Sequence, residues 1–75
     1  MINYEQIKLS ELNDSISRLQ DNETMHRKLY VKWINAGYFI DASEEWIEAE
    51  KFRAKAECLI NIRNIIASRL REERH

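Results

Sequence analysis

Residues that interrupt helices are almost missing from this sequence. Its 75 residues contain no proline and a single glycine, Gly37, which stands close to the midpoint of the chain. Proline and glycine are the strongest breakers of regular structure, so a chain nearly without them folds into few, long elements. Gly37 can adopt the left-handed conformation that ends a helix. The sequence therefore predicts one helical arm on each side of Gly37.

Apolar residues in the first half recur at the spacing of a coiled-coil helix. Steps of mostly three, four or seven residues place them at the a and d positions of a heptad, on one stripe of the helix surface. The same register continues through two polar residues and then two aromatic ones. The stripe consists of Ile2, Leu9, Leu12, Ile16, Leu19, Glu23, His26, Tyr30 and Trp33.

The polar middle of this stripe leaves two interpretations open. Residues 20–24 are poor helix formers, and Asp21 or Asn22 could cap a new helix. The unbroken register instead favours one continuous helix from about residue 3 to 36. The alternatives are a two-helix hairpin and a three-helix chain broken near residues 21–23, with the register leaning towards the hairpin.

The second half contains nothing that would stop a helix between Asp41 and about Arg74. Asp41 with Glu44 three residues later matches a capping box, which predicts that the helix begins at Asp41. Its apolar face widens around residues 58–66, and a face this wide needs more than one neighbour. Because a single hairpin offers only one, we expect a second copy of the chain to cover the rest. The predicted dimer core is Cys58, Leu59, Ile62, Ile65 and Ile66.

The predicted fold is therefore all-α: one domain over residues 1–75, forming an antiparallel helical hairpin that dimerises into a helical bundle. No basic and apolar leader opens the sequence and no long apolar run follows, so we expect no signal peptide and no membrane span. Cys58 is the only cysteine, which excludes an intrachain disulfide. These features together predict a cytoplasmic protein.

Charge and composition argue against several classes of function. The chain has 12 Lys and Arg against 13 Asp and Glu, a formal net charge of -1, whereas nucleic-acid-binding domains are usually strongly basic. Glu23 and His26 form one Glu-x-x-His motif, but a di-metal bundle requires a second. Neither a nucleophile–base pair nor a phosphate-binding loop is recognisable. We expect no enzyme activity, no catalytic residue, no metal, no cofactor and no small-molecule substrate.

A basic-aromatic segment keeps a nucleic-acid hypothesis open as the alternative. Cations interleaved with aromatic rings are typical of surfaces that bind single-stranded nucleic acid. Here, however, the aromatic residues Tyr30 and Trp33 also continue the apolar stripe, which explains them without a ligand. The basic residues that could contact RNA or DNA backbone are Arg27, Lys28, Lys32, Arg69 and Arg71.

Aromatic and apolar residues concentrate around Gly37 and suggest a protein-binding surface. The cluster consists of Trp33, Tyr38, Phe39, Ile40 and Trp46. Trp and Tyr dominate the binding hot spots of protein interfaces. The cluster either plugs the end of the bundle or forms an exposed docking tip, and the sequence favours the plug.

The leading functional hypothesis is a small non-enzymatic regulator or inhibitor that binds a host or phage protein as a helical homodimer. In its short length and its charged, helical composition the chain is similar to small accessory proteins of phages, prophages and plasmids, although this similarity rests on no matched residues.

Overall fold

The computed structural model describes the backbone of residues 4–73 and the side chains of residues 8–72. Two helices form it: α1 spans Tyr4–Ala36 and α2 spans Phe39–Glu73. They pack against each other as an antiparallel hairpin, a rod with extents of 57 × 18 × 12 Å. The predicted all-α hairpin is confirmed, while Ile2 and Arg74 of the predicted helical segments lie outside the described residues.

The chain reverses at Gly37, whose φ is 84°. The Gly37 amide donates to the Ile34 carbonyl at 3.1 Å, and the Tyr38 amide donates to the Trp33 carbonyl at 2.9 Å. These two bonds form a Schellman motif, which satisfies carbonyls that the end of α1 would otherwise leave unpaired. The rings of Trp33 and Tyr38 meet edge to face at 5.6 Å, the apolar contact that often accompanies this motif.

Helix α2 begins at Phe39, two residues earlier than predicted. The Ala42 amide donates to the Tyr38 carbonyl at 3.0 Å, so Tyr38 both closes α1 and opens α2. Asp41 lies inside the first turn of α2, where its charge suits the positive end of the helix dipole. The prediction that Asp41 caps this helix is therefore wrong.

Helix α1 runs without a break through residues 21–23, so the three-helix alternative is not observed. The Thr24 hydroxyl donates to the Gln20 carbonyl at 3.0 Å, one turn back in the same helix. Arg27 donates to Glu23 at 2.8 Å, an i, i+4 pair that also supports the helical conformation. Local polar contacts thus compensate for the weak helix propensity of this stretch.

The interface between the helices is a pair of matching stripes. On α1, every residue of the predicted stripe whose side chain is described is buried or half-buried, and Ile16 is the most buried of them. On α2, three alanines spaced seven residues apart are buried and allow the helices to approach closely. We call the corresponding stripe of α2 its inner face: Ala42, Glu45, Ala49, Phe52, Ala56, Leu59, Arg63, Ile66 and Leu70.

No helix within the described residues is long and apolar enough to cross a membrane.

The conformation of Gly37 predicts a measurable cost of substitution. Replacing Gly37 with Ala should lower the free energy of unfolding by about 1–2 kcal/mol, because a Cβ disfavours the left-handed region. The space around Gly37 is open, so the cost is conformational rather than steric. Gly37→Asn is the matched control and should cost less, since Asn tolerates this region. Urea unfolding followed by circular dichroism at fixed protein concentration measures both, and an Ala variant as stable as the wild type would contradict the turn.

Candidate protein-binding site

The turn end of the hairpin exposes a cluster of apolar side chains. Phe39 and Ile40, in the first turn of α2, are 66% and 78% exposed, because this turn has only the last turn of α1 beside it. Tyr38 and Trp46 are also exposed, and Trp33 is half-buried. We call these five residues the tip. Within the single hairpin they do not form a buried plug, although the sequence favoured one.

The ring of Trp46 is held in place by two residues of α1. It lies 5.2 Å from the ring of Tyr30, and the Arg27 guanidinium lies 4.7 Å from its centroid. Trp46 nevertheless remains 45% exposed. A large aromatic side chain fixed on one side and open on the other is well suited to a binding hot spot.

Three further apolar residues near the turn are exposed and were missed by sequence reasoning: Val31, Ile34 and Ile47. Val31 and Ile34 lie in the last turns of α1, and Ile47 lies on α2. All three lie outside the inner stripes of the two helices, and the sequence analysis used those stripes to predict the core. In the sequence they could have been identified as apolar residues that lie close to Gly37 but outside the predicted stripes.

A polar layer fills the weak part of the α1 stripe. The Nδ1 atom of His26 lies 2.5 Å from Oε2 of Glu45. The imidazole also stacks on the ring of Phe52, with centroids 5.4 Å apart and an angle of 13° between the planes. The two polar residues that interrupt the apolar pattern of α1, Glu23 and His26, thus have specific partners.

Arg27 connects this layer to both helices. Its Nε donates to Glu23 at 2.8 Å and its Nη2 donates to Glu50 at 2.9 Å. The hydrogen bonds to Glu50 and Glu23 raise the pKa of Arg27. The bond from Arg27 lowers the pKa of Glu50 below its usual range. The Arg27 guanidinium, which the nucleic-acid hypothesis assigns to a phosphate, is therefore already bound by two carboxylates.

The basic residues of that hypothesis do not form one surface. Lys28 and Lys32 are exposed on the turn-proximal part of α1, and the Lys32 ammonium lies 5.7 Å from the ring centroid of Trp33. Arg69 and Arg71 lie near the other end of the rod, in the last turns of α2. The hairpin thus separates the basic residues into two groups.

The predicted dimer-core residues fall on two sides of α2. Leu59 and Ile66 belong to the inner face and are half-buried against α1. Cys58, Ile62 and Ile65 are exposed. In the single hairpin the last three are the most open to another molecule.

The side chains of residues 8–72 include no group of three His, Cys, Asp or Glu placed to hold a metal ion. Glu23 and His26, the members of the Glu-x-x-His motif, are engaged by Arg27 and Glu45 respectively.

The lowered pKa of Glu50 makes part of the hairpin's stability dependent on pH. Folding favours the ionised carboxylate, so its contribution is present above the ordinary Glu value of 4.5 and is lost as the pH falls through the lower folded pKa. We expect Glu50→Gln to be less stable than the wild type at neutral pH. The difference in urea midpoint should shrink below pH 4.5.

Glu11→Gln, on the exposed side of α1, is the control and should change the midpoint little at any pH. A Glu50→Gln difference that stays constant or grows on acidification would contradict the role given to the Arg27–Glu50 bond.

Comparison with protein families, curated proteins and solved structures finds no match to this chain. The functional proposal accordingly rests on the surface chemistry of the hairpin, above all on its exposed apolar tip.

Proposed function

We propose that this chain is a non-enzymatic regulator or inhibitor that acts in the cytoplasm as a helical homodimer and binds a partner protein through the tip. The observation that carries the proposal is the exposure of Tyr38, Phe39 and Trp46 near the turn end of the rod. Contiguous exposed apolar side chains on a soluble fold are typical of interaction sites.

The energetics of the tip favour docking. Complete burial of a phenylalanine side chain contributes about 1.5–3 kcal/mol, so a few tip residues entering a pocket would provide much of a binding free energy. The Schellman motif fixes the backbone of the turn, and the packing of Trp46 on Tyr30 holds one side of the Trp46 ring. Binding therefore loses little conformational entropy, which is a common advantage of preorganised surfaces.

The homodimer is supported by what a single hairpin leaves exposed. A chain of 75 residues buries a modest share of its surface and commonly relies on association for stability. Ile62 and Ile65 are 41% and 56% exposed on α2, in the region where the sequence predicts the dimer core.

Sedimentation at micromolar concentration tests this association. We expect a species of twice the 9.1 kDa chain mass. A single species of 9.1 kDa would exclude the homodimer.

A substitution at Phe39 tests the tip. Phe39→Ser should reduce recovery of the partner protein from the expressing cell by at least about tenfold, which corresponds to 1.4 kcal/mol or more of lost binding free energy. Its free energy of unfolding should stay within about 0.5 kcal/mol of the wild type, since the side chain is exposed. Affinity capture with tagged variants and urea unfolding provide the two measurements.

Met25→Ser is the matched control, because Met25 is about half exposed on α1, away from the tip. It should leave recovery unchanged. A Phe39→Ser variant that melts earlier yet still binds would identify Phe39 as a plug. Retention on nucleic acid that falls steeply with salt and is unaffected at Phe39 would instead support the basic residues as the site.

A further inference from the structure

The face of α2 opposite α1 carries a second coiled-coil stripe. Its positions lie two residues after those of the inner face, a rotation of about 200° around the helix. Every one of them is exposed in the hairpin. We call this stripe the outer face of α2: Glu44, Ile47, Lys51, Ala54, Cys58, Asn61, Ile65, Ser68 and Glu72.

The equivalent face of α1 provides an internal comparison. Among residues 8–72, whose side chains the structure describes, it is also exposed, and Met25 is its only apolar member there: Glu11, Asp14, Arg18, Asp21, Met25, Lys28, Lys32 and Asn35. That composition is typical of a surface in contact with water. The outer face of α2 instead presents Ile47 and Ile65, each more than half exposed. Over the described side chains, the outer faces of the two helices therefore differ in what they can contact.

The apolar residues of the α2 outer face are arranged symmetrically along the helix. Ile47 and Ile65 lie nine residues to either side of position 56, and Ala54 and Cys58 lie two residues to either side. A two-fold interface uses the same patch on both molecules, so it requires such self-complementarity. In an antiparallel pair centred on position 56, Ile47 of each copy faces Ile65 of the other.

The charges select the antiparallel direction. In this register Glu44 lies beside Arg69 of the second copy, and Lys51 lies opposite Asn61. A parallel pair would place each Glu44 and each Lys51 against its own equivalent, and like charges in register repel.

The charged residues nearest the axis are already engaged within their own chain. Glu57 accepts from Arg53 at 3.1 Å, and the Lys55 ammonium lies 5.6 Å from the ring of Phe52. In this register Lys55 of each copy lies opposite Glu57 of the other, so the charges nearest the axis are complementary.

We propose that two copies of this chain associate through their α2 outer faces, antiparallel, around a two-fold axis that crosses the helices at the level of residue 56. The inference rests on the homodimer of the proposed function and specifies its interface, which involves α2 alone rather than both helices of a compact bundle. The two tips then point to opposite ends of the assembly, with the two Phe39 residues about 51 Å apart along the axis at 1.5 Å per residue. Such a dimer can hold two partner molecules at once.

The single thiol reports directly on this interface. Along the axis the two Cys58 residues are separated by four residues, about 6 Å, and Cys58 is exposed. A short bismaleimide should therefore convert most of the wild-type protein into a covalent dimer. Cys58→Ser with Met25→Cys moves the thiol to the outer face of α1 and should give no covalent dimer; efficient cross-linking there would overturn the interface.

A mixing experiment tests direction and register. Cys58→Ser is combined with Glu44→Cys in one protein and with Ser68→Cys in another, both at exposed positions. The mixture should cross-link, because residues 44 and 68 face each other across the axis. Each protein alone should not, because its two thiols are about 36 Å apart. Cross-linking of either protein with itself would overturn the antiparallel register.

Sedimentation of the same samples distinguishes a failure of this interface from a failure of the homodimer. A dimer that fails to cross-link at Cys58 overturns this interface and leaves the homodimer standing. A monomer overturns the homodimer itself, and the interface with it.

Discussion

The chain reverses direction within two residues because Gly37 holds a φ of 84° and Tyr38 continues directly into the next helix. This short turn fixes the alignment of α1 and α2 along their axes, since it leaves no slack between them. The buried alanines of α2 then lie on the face turned towards α1, and the polar residues His26 and Arg27 of α1 meet Glu45 and Glu50 of α2. A longer or mobile connection would allow other alignments of the two helices, in which His26 and Glu45 would no longer be in contact.

The same alignment determines what remains on the surface. Phe39 and Ile40 are exposed because they follow the turn at once, where α1 provides only its final residues as neighbours. The inner face of α2 packs against α1, whereas the outer face, with its exposed isoleucines, has no neighbour within the hairpin. We infer one role for each surface: the tip for a partner protein and the α2 outer face for a second copy.

Much of this fold could be predicted from the sequence because its signals are local. Heptad spacing identified the α1 stripe, including the polar positions Glu23 and His26, and the single glycine located the turn. The first residue of α2 could not be placed, since Asp41 offered a plausible cap and the role of Tyr38 depends on the geometry of the turn. The partners of Arg27 were also unpredictable, because they depend on the axial alignment of two helices. The aromatic cluster was recognised, but its exposure follows from how abruptly the chain turns.

Solvent accessibility of the tip in the associated protein tests the central claim most directly. Paramagnetic relaxation by a soluble, uncharged probe can be measured for the Phe39 ring, with the Met25 methyl as the exposed reference and the Ala49 methyl as the buried one. The account predicts that Phe39 relaxes as strongly as Met25 at concentrations where the chain is dimeric. Protection of Phe39 to the level of Ala49 would show a plugged end and contradict an accessible docking tip.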